Sequence, residues 1–252
     1  VLMDGMIIYS PFHSIGLFSV FDTDIIRNTD VFTGGFNAEY GGRVSSIMDI
    51  KTKDGNKKKF GGKLTANTFG SKLLLEGPLS KNQKSSFVFS GKTSYLDKTS
   101  DIFYKEPLFT FDENGLPYSY TDLYGKISLH GNNGSKFNLF GFNFQDLVDY
   151  ENISKLSWQS NGIGSEFILI PGSSPVLIEG NFAYSSYKIS LDEAASPLRE
   201  SGISGFNMGF DFTYFKPKSK IKYGFDVHGY ATDFLTYNSV NTPITQNENT
   251  SE

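Results

Sequence analysis

Beyond residue 60, apolar and polar side chains alternate with a period of two. Phe206, Met208, Phe210, Phe212 and Tyr214 alternate with Asn207, Gly209, Asp211 and Thr213. Ile221, Tyr223, Phe225, Val227, Gly229 and Ala231 alternate with Lys222, Gly224, Asp226, His228, Tyr230 and Thr232. Leu123, Gly125, Ile127 and Leu129 oppose Asp122, Tyr124, Lys126, Ser128 and His130. Successive side chains of a strand point to opposite faces, so each run predicts a strand with one apolar and one polar face. Strands are predicted near 60–69, 71–79, 86–96, 119–131, 135–149, 156–170, 176–191, 205–215 and 220–236.

The links between these strands alternate in length. Ser80–Ser85, Asn132–Gly134, Pro171–Ser174 and Lys216–Ser219 read as tight polar turns. Asp97–Ser119, Glu151–Lys155 and Asp192–Ser204 read as mostly longer, irregular loops, and Phe69-Gly70 as an unusually tight link. Short turns on one rim and longer loops on the other form the pattern of an outer-membrane meander. About nine strands are expected, and the polar stretch Thr242–Glu252 reads as the start of another outer loop. An odd, open set leaves edges that lipid cannot satisfy, so the rest of the wall is expected beyond residue 252.

Residues 1–55 lack this alternation. Val1–Met3 and Met6–Tyr9 are short apolar runs joined by Asp4-Gly5, a hairpin turn signal. Asp22–Arg27 is predicted as a short helix capped by Asp22 or Thr23, and Asp30–Thr33 and Val44–Thr52 as strands around a Gly-rich loop. The polar stretch Asp54–Lys59 is expected to be the hinge between this α+β part and the sheet.

Composition narrows the function classes. Net charge is −4, with 23 Lys and Arg against 27 Asp and Glu, so no field gathers nucleic acid. Only 38% of residues are hydrophobic and no apolar run nears the roughly 20 residues of a membrane helix. Twenty-four Phe, 14 Tyr and 26 Gly suit strands with one greasy face. Without Cys, disulfide scaffolds, Cys-bound metals and cysteine nucleophiles are excluded. His13, His130 and His228 form no metal-ligand spacing, and the latter two are expected as solvated wall residues. Gly162-Ile163-Gly164-Ser165 is not a nucleophile elbow, and the Gly pairs near residue 40 precede a strand, unlike a phosphate loop. No catalytic residue, metal or cofactor is called.

One segment is more specific: Gly34-Gly35-Phe36-Asn37-Ala38-Glu39-Tyr40-Gly41-Gly42-Arg43, followed by the strand-like run from Val44. With Leu2-Met3-Asp4-Gly5, Pro11–Phe21 and Leu75-Glu76-Gly77-Pro78-Leu79 in that order, it resembles the end of the plug domain in TonB-dependent outer-membrane receptors of the Bacteroidetes type. The resemblance implies a mainly β fold: residues 1–55 as the C-terminal part of a plug, and 56–252 as the first part of an incomplete antiparallel transmembrane β-barrel. It implies active import of a scarce nutrient, such as a siderophore, cobalamin, oligosaccharide or peptide. It further implies the TonB–ExbB–ExbD complex, outer-membrane lipid and a possible surface lipoprotein as partners. The TonB box and first half of the plug are expected outside these residues.

On that basis Gly34, Gly35, Tyr40, Gly41, Gly42 and Arg43 are candidates for plug–barrel contact. The Gly pairs permit tight turns, and Arg43 offers a forked pair to a carboxylate. Lys92, Asp122, Lys126, Asp211, Lys222 and Asp226 are lumen-facing candidates. Trp158, Tyr118, Tyr120, Tyr187 and Tyr237 are expected in an interfacial aromatic belt. A passive porin, an outer-membrane adhesin and a soluble glycan-binding β-sandwich remain alternatives, since each also uses alternating strands.

Overall fold

The structure is a computed structural model describing residues 1–252 apart from 14, 15, 17, 37, 39, 42–44, 104–115, 151, 152, 173, 239–241 and 252. Two sheets make up the chain. The smaller has the order β2-β1-β4-β3, from β1 (Leu2–Met3), β2 (Met6–Ile7), β3 (Ile26–Phe32) and β4 (Ile47–Thr52). The larger is an unbroken antiparallel meander of ten strands. They are β5 (Gly61–Ala66), β6 (Gly70–Pro78), β7 (Ser85–Ser94), β8 (Tyr118–His130), β9 (Lys136–Tyr150), β10 (Ser154–Leu169), β11 (Val176–Glu193), β12 (Ser196–Lys216), β13 (Ser219–Tyr237) and β14 (Pro243–Ser251). One helix, α1 (Leu96–Phe103), follows β7.

The large sheet is inside out relative to a soluble sheet. On β8 the polar members Asp122, Lys126 and Ser128 are buried, together with Tyr124, while Leu123, Ile127 and Leu129 are each at least 40% exposed. On β12, Asn207 and Thr213 are buried and Phe206 and Tyr214 exposed. Ladder register carries this sidedness across the sheet: Phe212 stands opposite Tyr223, Phe210 opposite Phe225 and Met208 opposite Val227. The apolar face is a band nine residues deep on β12, from Phe206 to Tyr214. At ~3.3 Å per residue that is roughly 30 Å along the strand, or about 23 Å of height at an outer-membrane strand tilt. The exposed apolar face and buried polar face are the reverse of what a soluble β-sandwich presents.

Above the band the outer face turns polar along one register row: Asn143, Asn161, Ser186 and Ser204. Beyond this row the strands continue. The expected loop Asp192–Ser204 is instead ladder, with Leu191 opposite Arg199 and Glu193 opposite Ser196, leaving a two-residue turn. The expected tail Thr242–Glu252 contributes β14, paired with β13 from Gly229–Ser251 to Tyr237–Pro243. The wall therefore has ten strands rather than nine. Its asymmetry lies less in loop length than in strand overhang: polar side chains on both faces keep pairing in water.

The expected helix at Asp22–Arg27 is absent. Asp22 Oδ1 accepts the Asp24 amide at 2.9 Å, closing a turn that delivers the chain into β3. Side-chain capture of the backbone has won over helix capping here. Among the described residues, 1–55 hold strands and turns only.

Curvature follows from one turn. Asp4 Oδ2 accepts the Tyr124 hydroxyl of β8 at 2.8 Å, while the next residue's carbonyl, Gly5 O, accepts Asn207 Nδ2 of β12 at 2.9 Å. In a flat sheet those strands would lie about 19 Å apart, four spacings of ~4.8 Å. Two adjacent residues reach both only because the wall curls around the small sheet.

Candidate functional site: a polar seam between the small sheet and the wall

An apolar patch seats the small sheet. Met3, Met6, Ile8, Val20 and Ile25 are buried against Leu74, Val88, Phe140, Phe142, Phe144 and Ala183 of the wall. The stripe Phe140-Phe142-Phe144 thus faces inward, the reverse of the neighbouring strands. A Cβ at Gly162 would lie 2.4 Å from the Phe142 ring and 2.5 Å from Met6 Sδ, so the glycine lets the small sheet close on β10.

Around this patch runs a set of paired charges. At its centre, Asp4 occupies the hairpin turn with φ of 49°, followed by Gly5 at 80°, the left-handed pair that a tight Asp-Gly turn requires. Its carboxylate accepts the Thr52 amide (2.9 Å), the Thr52 hydroxyl (2.5 Å) and the Tyr124 hydroxyl. Lys126 Nζ lies 3.3 Å from the same carboxylate and donates to Thr52 Oγ1 at 2.9 Å. It also stands 3.5 Å from Glu166, which accepts Asn138 Nδ2 at 2.5 Å. Asp4 and Lys126 are both essentially sealed from water, and such charges persist only when paired and hydrogen-bonded.

Two further carboxylate clusters repeat the theme. Asp22 meets Lys72 at 2.9 Å and accepts the Ser90 hydroxyl at 2.5 Å, while Asp24 pairs with Lys72 and Lys63. Burial alone would raise the Asp22 pKa, but the Ser90 and Lys72 bonds outweigh it and hold the carboxyl below its ordinary value. The hydrogen bonds from Lys72 and Lys63 hold Asp24 down. Asp54 meets Lys136 at 2.7 Å, Ser128 at 3.2 Å and His130 at 3.3 Å. Against the opposing effect of burial, Lys136 keeps its carboxyl below the usual range. His130 is therefore a half-buried partner of the small unit, not a solvated wall residue.

The polarity reverses at His13. Its Nε2 lies 2.8 Å from Asp122 and its Nδ1 3.0 Å from Asp146, and its ring stacks on Tyr120 at 4.1 Å. Carboxylate oxygens only accept, so the doubly protonated ring satisfies both contacts. Burial lowers the His13 pKa, yet the two carboxylates together raise it above the ordinary value. Lys92 closes the group, 2.9 Å from Asp122 and bonded to Ser19 O at 2.6 Å.

Of the lumen-facing candidates, Lys92, Asp122 and Lys126 lie in this seam. Lys222 pairs with Asp211 at 3.5 Å along the wall, and Asp226 lies beside Gly209 on the same face. Tyr40 donates to Asp49 of β4 at 3.3 Å and packs on Phe32, within the small sheet. A Cβ at Gly34, Gly35 or Gly41 would meet nothing within 4 Å; Gly42 and Arg43 lie outside the described residues. Of the expected belt aromatics, Tyr120 points inward onto His13, and Trp158 shares the inner face through its pairing with Asp146.

Asp4, His13, Asp22, Thr52 and Asp54 carry the seam but were not candidates on sequence. Sequence signals marked Asp4 as a turn, Asp22 as a cap and Asp54 as the start of a hinge, but none of these as a seam contact. Among the described residues no cluster of His, Cys, Asp or Glu could hold a metal ion. What the seam offers is water-excluded, ion-paired adhesion between two parts of one chain.

The chain matches no protein-family model and no curated protein. Solved structures do match. The FrpB iron transporter from Neisseria meningitidis superposes with a TM-score of 0.69 at 14% identity, over 94% of this chain and 40% of that one. The Serratia marcescens hemophore receptor HasR, in complex with HasA and heme, gives 0.61 at 11% identity, over 98% and 38%. The fold is that of TonB-dependent barrels. The ferric citrate transporter FecA gives 0.51 at 14% identity, over 99% of this chain and 50% of that one. The present chain thus spans two-fifths to one-half of these TonB-dependent structures.

Proposed function

We propose that residues 1–55 are the closing part of a plug, that 56–252 are part of the barrel around it, and that the whole protein imports a scarce nutrient across the bacterial outer membrane. The observation that carries this reading is the inversion of the wall: polar side chains buried against an inner unit, apolar ones exposed over a bilayer-sized band. An open pore gives its polar face to water. Here Asp4, Asp22, Asp54 and His13 cover it with ion pairs that can be broken and remade, which suits a stopper better than a permanent core.

In this reading, energy delivered by the TonB–ExbB–ExbD complex pulls the inner unit, and the paired seam sets the force needed. The three structural neighbours are an iron transporter, a hemophore receptor bound to its hemophore and heme, and a ferric citrate transporter, which favours an iron chelate among the candidate nutrients. The Gly34–Arg43 segment would then be the Bacteroidetes-type plug element. Deleting the gene should abolish growth on the cognate chelate under iron limitation, and disabling TonB should reproduce that loss. Uptake that survives loss of TonB would leave a passive pore as the better reading.

A further inference from the structure

Resting on the membrane reading above, we infer that the short-turn rim of the wall carries a binding site for an anionic glycerophospholipid. A groove of about 660 Å³ opens on the outer face beneath the turns after β6 and β8. Its floor is Leu129, Phe137, Phe167 and Leu169, the lowest members of the exposed apolar band. Its rim is polar: Ser80, Asn82 and Lys84 from the turn between β6 and β7, with His130 and Lys136 of the seam beside them. The site is therefore amphipathic in one direction, apolar toward the band and hydrogen-bonding toward the water beyond the turns. An acyl chain with a phosphate at its end has that shape and polarity.

Charge selects the headgroup. The turns on this rim carry Lys81, Lys84, Lys216, Lys218 and Lys220. Lys216 Nζ sits 5.8 Å from the ring centroid of Tyr214 on the exposed apolar face, its stem along that surface with the charge at its edge. The opposite rim carries Asp149, Asp192, Glu193, Glu200 and Asp233 near its turns, and Lys155, Arg199 and Lys188 pair there with Asp149, Glu193 and Glu200. A wall with an excess of lysine at one edge and matched charges at the other meets anionic headgroups best at the lysine edge. Lys136 already neutralises Asp54, whereas Lys84 is exposed and makes no ion pair among the described residues. Lys84 is the cation that receives the phosphate, with the Asn82 side-chain amide as a neighbouring donor, its oxygen held by the Ser80 hydroxyl.

The test compares retention of phosphatidylglycerol and phosphatidylcholine, with matched acyl chains, by native mass spectrometry of the full-length protein after reconstitution. Phosphatidylglycerol should be retained preferentially. Lys84→Gln should reduce that retention about fivefold, the effect of one lysine at a charged lipid surface, and Lys188→Gln at the opposite rim should not. Equal retention of both lipids, or a Lys84→Gln protein that holds phosphatidylglycerol like the parent, overturns the lipid site while leaving the membrane reading intact. Failure to insert into vesicles of either lipid overturns both.

Discussion

Lys126 of β8 and Asp4 of the β1–β2 turn meet at 3.3 Å across the seam, each almost wholly excluded from water. Neither charge has water to fall back on, so the two are interdependent. Replacing Lys126 with Met should destabilise docking of residues 1–55 by about 3–5 kcal/mol, the cost of stranding a buried partner. The double variant Lys126→Met, Asp4→Asn should recover part of that. Tyr124→Phe, which removes one donor to Asp4, should cost about 1 kcal/mol. Thermal unfolding in detergent, with limited proteolysis of the first 55 residues, would give these differences.

His13 should make the seam pH-sensitive. Its folded pKa is raised above 6.5. Its contribution is therefore complete below about pH 6.5 and fades as pH rises through the folded value. Amide exchange of the segment around Pro11–Val20, corrected for intrinsic rate, should accelerate with rising pH by about tenfold per unit of elevation. His13→Gln should flatten that dependence. Asp22 and Asp54 act in the opposite sense. With pKa values held below 3.8, their contribution is present above about pH 3.8 and disappears on further acidification.

Gly55 tests the hinge. A Cβ there would lie 1.8 Å from the Phe87 carbonyl oxygen, a backbone atom that cannot swing aside. Gly55→Ala should cost about 1–3 kcal/mol through overpacking and loosen the neighbouring Asp54–Lys136 contact. Exchange protection around residues 52–56 would register the change.

On the proposed import reading, a covalent tether across the seam should stop transport. Asp22 and Ser90 are in direct contact across the seam, and the chain has no native Cys. Cysteines at both positions, joined by a short reducible crosslinker, should block uptake, and reductant should restore it. Blocked uptake that persists after reduction would point to damage, and normal uptake while crosslinked would show that this contact need not open.

The wall was legible because alternation is local: Phe206 to Tyr214 declares a strand and its two faces without reference to anything distant. Turn chemistry was equally plain at Asp4-Gly5. The wall side of the seam was legible as lumen-facing polarity at Lys92, Asp122 and Lys126, but the pairing across it was not. His13 to Asp146 and Asp4 to Lys126 are separated by more than a hundred residues, and each side chain alone looks like ordinary solvated polarity. The overhanging hairpin at 192–204 and β14 were missed for a related reason. With water on both sides, their pairing needs no apolar face, so Thr242–Glu252 carries no periodic signal. The Asp22 turn was misread because an N-cap and a side-chain-closed turn use the same residue.

The central claim is that one face of each wall strand meets hydrocarbon and the other meets residues 1–55. Adjacent residues on β8 test it most directly. Single cysteines at Ile127 and Ser128, each carrying an environment-sensitive fluorophore in the reconstituted full-length protein, should differ sharply. The label at Ile127 should be quenched by a lipid-phase quencher. That at Ser128 should be shielded from it, becoming water-accessible only when the small sheet is displaced. Lipid quenching at Ser128 with free water access at Ile127 would contradict the account.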